Sequence, residues 1–169
     1  DMGYLNFDEP FSSLVHQGII LGPDGNRMSK SRGNTVAPDE YVKKYGSDVF
    51  RTYLGFGFAY TQGGPWSDGG LQAIAKFIGR IERLIEDIAD APSGKPFSGD
   101  PSGDDKALLY ALNYTIKSVT ADTDRFQFNT SIARLMELLN AIGKYRDSGK
   151  VKPALLRETC ETLLLLLSP

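Results

Sequence analysis

The sequence is short of the residues on which many enzymes and extracellular proteins depend. Its 169 residues include one cysteine, one histidine and one tryptophan. An internal disulfide is therefore impossible, and no cluster of Cys and His ligands is present to hold zinc. Cys160 lies in an apolar helical pattern, where we expect a small core residue. A single cysteine is typical of a reducing compartment, and we predict a cytoplasmic location.

Long apolar runs and an excess of charge of one sign are also missing. The longest apolar run, residues 163–167, is far shorter than the ~20 residues that a membrane span needs, so no membrane partner is expected. The formal net charge is −2, and any contact with nucleic acid must come from local basic patches. The sequence has no Gly-x-Gly-x-x-Gly fingerprint and no nucleophile elbow.

Apolar residues recur at helical spacing from residue 67 onward. Ser67 and Asp68 predict a helix start, and Pro153 predicts the start of the last helix. Asn129 or Thr130 is the expected cap of the third helix. The predicted inward stripes are Leu71, Ile74, Ile78, Ile81, Ile85 and Ile88; then Leu109, Leu112, Ile116, Val119 and Thr123; then Ile132, Leu135, Leu139 and Ile142. Long helices with short joints predict an antiparallel α-helical bundle.

The first 66 residues have a different pattern. We predict a short helix from residue 9, a strand over residues 19–21, helices from residue 38 and over residues 49–54, and a glycine-rich aromatic connector over residues 55–66. The fold class is therefore mainly α, with a short strand and loop region before the bundle. We divide the chain into residues 1–66 and 67–169. Because its last helix is apolar all round, we expect the bundle to be truncated and the chain to be a fragment.

Residues 22–34 form the most informative segment. Three cations and two hydroxyls lie between turn-forming residues at both ends, Pro23-Asp24-Gly25 and Gly33-Asn34. Such a loop, with Gly25 and Gly33 as hinges, is suited to a polyphosphate, because lysine meets phosphate as a point charge and arginine as a bidentate fork. By composition alone, however, such a loop is more often a solvated basic surface turn.

The order of the residues favours the phosphate interpretation. Arg27-Met28-Ser29-Lys30-Ser31 resembles the Lys-Met-Ser-Lys-Ser signature of class I aminoacyl-tRNA synthetases, with Arg27 in place of the first lysine. The resemblance narrows to leucyl-tRNA synthetases through residues 7–22, Trp66-Ser67-Asp68 and residues 125–138. It covers essentially the whole chain.

The resemblance implies that the parent protein is a leucine–tRNA ligase. Such an enzyme activates leucine with ATP, accompanied by Mg²⁺, and transfers it to tRNA(Leu). Lys30 and Arg27 would be the catalytic residues, and the ATP contacts would come from Arg27, Met28, Ser29, Lys30 and Ser31. Met28 would anchor the loop in an apolar pocket, and Arg32 would be a flanking surface charge. No residue of this chain is expected to bind a metal.

The resemblance also assigns the bundle to the anticodon-binding domain of the family, which generally contacts the tRNA body here. The candidate phosphate contacts are Lys117, Arg125, Arg134, Lys144, Arg146, Lys150, Lys152 and Arg157. The nucleotide-binding half of the enzyme would lie upstream in the same chain, so the isolated fragment is expected to be inactive.

Two alternatives remain. The first is another class I synthetase, specific for valine, isoleucine or methionine; Trp66-Ser67-Asp68 argues against it. The second is a non-catalytic helical module that binds RNA or a protein partner. The amino acid that supports synthetase activity would distinguish the first alternative from a leucyl enzyme. Any synthetase activity of the parent protein would exclude the second.

Overall fold

The computed structural model describes residues 3–4, 6–8, 11–89 and 97–168. These residues form six α-helices and a two-stranded parallel sheet, so the predicted mainly α fold is confirmed. The elements are β1 (Ile19–Leu21), α1 (Pro38–Tyr45), α2 (Ser47–Phe56), β2 (Gly63–Pro65), α3 (Asp68–Ile88), α4 (Gly103–Thr123), α5 (Phe128–Asp147) and α6 (Pro153–Leu167).

Local sequence signals fix most of the helix starts. The Ser67 side chain caps α3 by accepting a hydrogen bond from the Gly70 amide. Ser102 and Asp105 form a reciprocal capping box at the start of α4. Pro153 begins α6, where its missing N–H leaves no helical hydrogen bond unmade. The predicted starts of α3 and α6 are therefore confirmed.

The bundle encloses the larger hydrophobic core. Helices α4 and α5 pack against each other, and α6 packs on both. The core includes Leu108, Leu112, Leu135, Leu138, Leu139, Ile142, Leu155, Cys160 and Leu163. Cys160 is fully buried, as predicted, and burial raises the pKa of its thiol to about 12.

The predicted inward stripe is correct for α5 and shifted for α4. All four residues proposed for α5 are buried. In α4, Leu112 and Val119 are buried as expected, whereas Ile116 is 37% exposed and Thr115 is buried in its place. Polar residues occupy several buried positions of α4, so the spacing of its apolar residues predicts an inward face that is rotated from the observed one. The predicted cap of α5 is also wrong, because its N-cap position is Gln127.

A second hydrophobic cluster lies under the segment that precedes the bundle. It consists of Val49, Tyr53, Phe58, Trp66, Leu71 and Ile74, and we call it the platform cluster. The Tyr53 hydroxyl accepts a 2.8 Å hydrogen bond from the Ser67 amide, which ties α2 to the start of α3. The Trp66 indole donates to Asp68 at 3.0 Å. Aromatic residues of the connector, Phe58 and Trp66, thus pack beneath the loop.

The first 66 residues hold the other corrections. Residues 9 and 10 of the first predicted helix lie outside the described residues, and residues 11–18 are not helical. Helix α2 is longer than predicted and includes Gly55. A Cβ at this position would lie 3.1 Å from the Ile132 side chain, so the glycine allows α2 and α5 to pack closely. Strand β2 was not predicted; it pairs with β1 in the register Ile19 to Gly63. Among the described residues, no helix combines the length and hydropathy that a membrane span requires.

Candidate functional site

The basic loop, residues 22–34, connects β1 to the segment before α1. The chain turns back on itself at once: the Gly22 amide donates to the Asn26 carbonyl at 2.8 Å, and Leu21 forms an antiparallel bridge with Arg27. Gly25 and Gly33 have φ values of 74° and 67°, in the left-handed region that favours glycine. The loop therefore begins and ends at positions of unusual backbone conformation.

The predicted site residues of the loop differ in whether they pack against the protein or face solvent. Met28 is half-buried and packs against the platform cluster. Arg27 and Lys30 are exposed, and neither forms an ion pair with any other described residue. Ser29 and Ser31 lie together, with 2.8 Å between their hydroxyl oxygens. The loop therefore presents two cations and a pair of hydroxyls to solvent, while Met28 anchors its backbone on the platform cluster.

A short 3-10 helix, Lys30–Arg32, shapes the tip of the loop. The Arg32 amide donates to the Ser29 carbonyl at 3.1 Å, and the Gly33 amide donates to the Lys30 carbonyl at 3.2 Å. Arg32 is exposed on the same turn. The position of Lys30 is thus set by the backbone on both sides of it.

The sequence predicts only turn formation for Asp24 and Asn34, whereas the structure brings their side chains into contact. The Asn34 amide nitrogen donates to both carboxylate oxygens of Asp24, at 3.0 and 3.1 Å. The Asn34 amide oxygen accepts a 2.8 Å hydrogen bond from the Ser29 backbone. The only signal in the sequence is an Asp and an Asn at the two ends of the loop, which turn formation alone would explain.

A cavity of about 930 Å³ lies elsewhere, among α2, α3, α4, α5 and the end of α6. Its lining is largely aliphatic and includes Ile78, Ile81, Leu135 and Leu164. No residue of the basic loop lines it. Arg51 is the only cation among the described residues that line it, so the cavity lacks the convergent cations that phosphate binding requires, and we do not assign it to a nucleotide.

Most of the candidate tRNA contacts are engaged within the chain. The ion pairs are Arg125–Asp122, Arg134–Glu137, Arg146–Asp87, Lys152–Asp105 and Arg157–Glu161, with N to O distances from 2.7 to 3.4 Å. Lys117, Lys144 and Lys150 are exposed and form no ion pair with a described residue. These three lysines are therefore the bundle candidates whose charge is not neutralised locally.

Two family models match the sequence. Residues 4–63 match tRNA synthetases class I (I, L, M and V). Residues 105–169 match the anticodon-binding domain of tRNA ligase. The two matches together cover most of the chain and fall on the loop region and on the bundle.

Curated relatives with high identity are leucine–tRNA ligases. The chain is 60% identical over 153 residues to that of Caldanaerobacter subterraneus subsp. tengcongensis, which covers 90% of this chain and 19% of the relative. It is 54% identical over 170 residues to that of Clostridium perfringens, which covers 100% of this chain and 21% of the relative. The chain thus spans about a fifth of the length of the curated relatives that it matches.

Solved structures of tRNA synthetases share the fold of this chain. The ternary complex of Agrobacterium radiobacter K84 agnB2 LeuRS with tRNA and LeuAMS superposes with a TM-score of 0.88 at 35% identity, covering 99% of this chain and 22% of that one. A Mycobacterium tuberculosis methionyl-tRNA synthetase bound to methionyl-adenylate superposes with a TM-score of 0.61 at 23% identity, covering 88% of this chain and 32% of that one. The second match shows a shared fold only.

Proposed function

The chain belongs to the leucine–tRNA ligase family of the class I tRNA synthetases, and we propose that it supplies the ATP-phosphate loop and the tRNA-binding bundle of such an enzyme. The complete protein activates leucine with ATP and transfers the leucyl group to tRNA(Leu), in the cytoplasm. In the first step, the leucine carboxylate attacks the α-phosphate of ATP, which yields leucyl-adenylate and releases pyrophosphate.

The observation that carries this proposal is the difference in burial between the apolar and the cationic side chains of the loop. Met28 is directed into the platform cluster while Lys30 and Arg27 remain exposed and unpaired among the described residues. Negative charge grows on the departing pyrophosphate, and cations already in place stabilise it more in the transition state than in the ground state. Lys30 is the main contact in this proposal, with Arg27 second.

The hydroxyls and glycines have supporting roles. Ser29 and Ser31 lie close enough to donate to neighbouring phosphate oxygens, since their own oxygens are 2.8 Å apart. Gly25 and Gly33 allow the loop to close over ATP and to open again for product release. Replacement of the first signature lysine by Arg27 retains the charge and adds a bidentate donor.

Mg²⁺ would enter with ATP in this proposal. The ion favours phosphate oxygens and water, and usually needs only one or two protein carboxylates. Within the residues that the structure describes, no group of three or more His, Cys, Asp or Glu side chains is placed to hold a metal. The chain's contribution to that complex is therefore cationic: Lys30 and Arg27 would share the phosphate charge with the ion.

We further propose that residues 1–66 complete a catalytic core whose other half lies upstream, and that residues 67–169 form the tRNA-binding bundle. Tyr4, Phe11 and Leu14 are between 78% and 86% exposed. Several large apolar side chains exposed within one short segment are typical of a covered surface, which the upstream half of the same chain would supply. The isolated chain is accordingly expected to form no adenylate.

The bundle's contribution to tRNA binding is assigned first to Lys117, Lys144 and Lys150. Their charges are free of ion pairs with described residues, so they can neutralise phosphates without breaking an existing contact. Contacts of this kind are not sequence-specific and weaken as salt rises. Each glutamine substitution should reduce the slope of log affinity against log salt by up to about 0.9 if the lysine meets a phosphate.

Pyrophosphate exchange tests the proposal. The complete protein is incubated with ATP, labelled pyrophosphate and one amino acid at a time: leucine, isoleucine, valine or methionine. Exchange driven by leucine supports the proposed specificity. Exchange driven by another amino acid keeps the chemistry and replaces the substrate. No exchange with any of the four would leave a helical RNA- or protein-binding module, and the isolated 169-residue chain serves as the inactive comparison.

A further inference from the structure

Asp24 and Asn34 close the basic loop at its two ends. The Asn34 amide nitrogen lies 3.0 and 3.1 Å from the two carboxylate oxygens of Asp24, although the residues are ten positions apart. The contact is between side chains, so it depends on these residue types and not on the backbone alone. A carboxylate that accepts from an amide at both oxygens holds the two ends of the loop at a fixed separation.

The same asparagine also holds the middle of the loop. Its amide oxygen accepts from the Ser29 backbone at 2.8 Å, and its amide nitrogen reaches the Arg27 carbonyl at 3.3 Å. These contacts fix the backbone on both sides of Met28, immediately before Lys30. One side chain therefore connects the start of the loop, its centre and its end.

The Asp24 carboxylate has its own support. The Asn26 amide donates to it at 3.1 Å, and the Asn26 side chain donates at 3.2 Å. The hydrogen bonds from Asn34, followed by those from Asn26, lower the pKa of Asp24. Asp24 is exposed, so these contacts add little to the hydrophobic core. Their effect is local: they restrict the conformation of the loop.

We propose that Asp24 and Asn34 form a clasp that positions Lys30 for the transition state of leucine activation, which makes both of them positioning residues. The assignment rests on the proposed function and adds to it residues outside the Arg27–Ser31 signature. A loop ordered before ATP binds does not need to be ordered during the reaction. Loss of the clasp should therefore lower kcat for adenylate formation and leave KM for leucine unchanged.

An exchange of the two residue types tests the clasp. Asn34→Asp places a second carboxylate against Asp24, and repulsion between them should open the loop. Adding Asp24→Asn restores one amide and one carboxylate in reversed positions, while the new carboxylate at position 34 can still accept from the Ser29 amide. We expect Asn34→Asp to lower kcat by roughly 10- to 100-fold, and the double substitution to recover most of that loss. Asp24→Asn alone should have a small effect, since its amide oxygen still accepts.

The measurement is leucine-dependent pyrophosphate exchange by the complete protein, with kcat and KM determined for leucine and for ATP. The matched control combines Asn34→Asp with Asp124→Asn, which removes an exposed carboxylate at the end of α4 and should give no recovery. Binding of tRNA(Leu) checks that each variant is folded. Recovery by Asp24→Asn and not by Asp124→Asn supports the clasp. Native kcat in Asn34→Asp, or equal results with the two second substitutions, overturns it while the proposed function stands. A native protein without leucine-driven exchange overturns both.

Discussion

The Tyr145 hydroxyl donates a 2.6 Å hydrogen bond to the buried carboxylate of Asp105, which joins the end of α5 to the start of α4. The same hydroxyl accepts from the Lys152 amide at 2.8 Å, just before α6. Lys152 completes the group, with its ammonium nitrogen 2.8 Å from Asp105. The ends of α4 and α5 and the residue before α6 therefore meet at one polar contact, in which Asp105 is buried and Lys152 reaches solvent.

Tyr145→Phe should destabilise the bundle. The substitution preserves the ring and removes both hydrogen bonds of the hydroxyl, which leaves a buried acceptor and a backbone donor without this partner. The expected loss is about 1–3 kcal/mol in the free energy of unfolding. Urea denaturation of the 169-residue chain, followed by far-UV circular dichroism, measures it. Tyr110→Phe is the control, because the Tyr110 side chain is 72% exposed. Equal stability of the two variants would contradict a structural role for the Tyr145 hydroxyl.

The buried carboxylate of Asp105 should make the free energy of unfolding decrease at acidic pH. Hydrogen bonds from Lys152 and then Tyr145 hold the pKa of this carboxyl well below its usual value of 3.8. Because the unfolded chain binds the proton more tightly, the contribution is complete above the unfolded pKa and is lost as pH falls toward the folded pKa. Asp105→Asn should therefore lower Tm at neutral pH and give a flatter Tm profile below about pH 4. The control, Asp124→Asn, should retain the native profile.

The parts of the fold that were predicted correctly depend on local signals. The stripe of α5 follows the 3.6-residue period, since each of its inward positions is filled by a large aliphatic side chain. Ser67 and Pro153 mark helix starts through the chemistry of their own backbone and side chains. Such features need no knowledge of distant contacts.

The features that were missed depend on contacts between distant residues. The Gly-Gly-Pro segment of β2 has poor strand propensity and becomes a strand because β1 lies beside it. Asp105 lies on the inward face of α4, but a carboxylate predicts a surface position unless its partners, here Tyr145 and Lys152, are known. The contact between Asp24 and Asn34 spans ten residues without any periodic pattern. The loop signature itself was readable because its residues are contiguous.

Gly33 should tolerate asparagine and reject valine. Its φ of 67° lies in the left-handed region, which is unfavourable for branched side chains and accessible to asparagine. Gly33→Val should slow leucine-dependent pyrophosphate exchange by roughly tenfold, because the turn that follows Lys30 cannot form without strain. Gly33→Asn should remain within about twofold of the native rate. If both variants were equally slow, the requirement would be for lack of a side chain rather than for the backbone conformation.

Lys30→Ala should separate catalysis from substrate binding. Lys30 and Arg32 belong to the same short helical turn and are both exposed, so they differ in position and not in surroundings. If Lys30 meets the departing pyrophosphate, its loss removes a contact that strengthens in the transition state, and adenylate formation should fall by ~10²–10³-fold. Arg32→Ala removes an equal charge from the neighbouring surface and should change the rate by less than about fivefold.

Single-turnover formation of leucyl-adenylate by the complete protein provides the comparison, with leucine affinity measured in parallel. A fall in rate for Lys30→Ala with leucine affinity unchanged places the lysine at the phosphates. Weaker leucine binding with the rate intact would instead place it near the amino acid. Similar losses in the two variants would show that the loop acts through its total charge, because a field summed over several cations depends little on which one is removed.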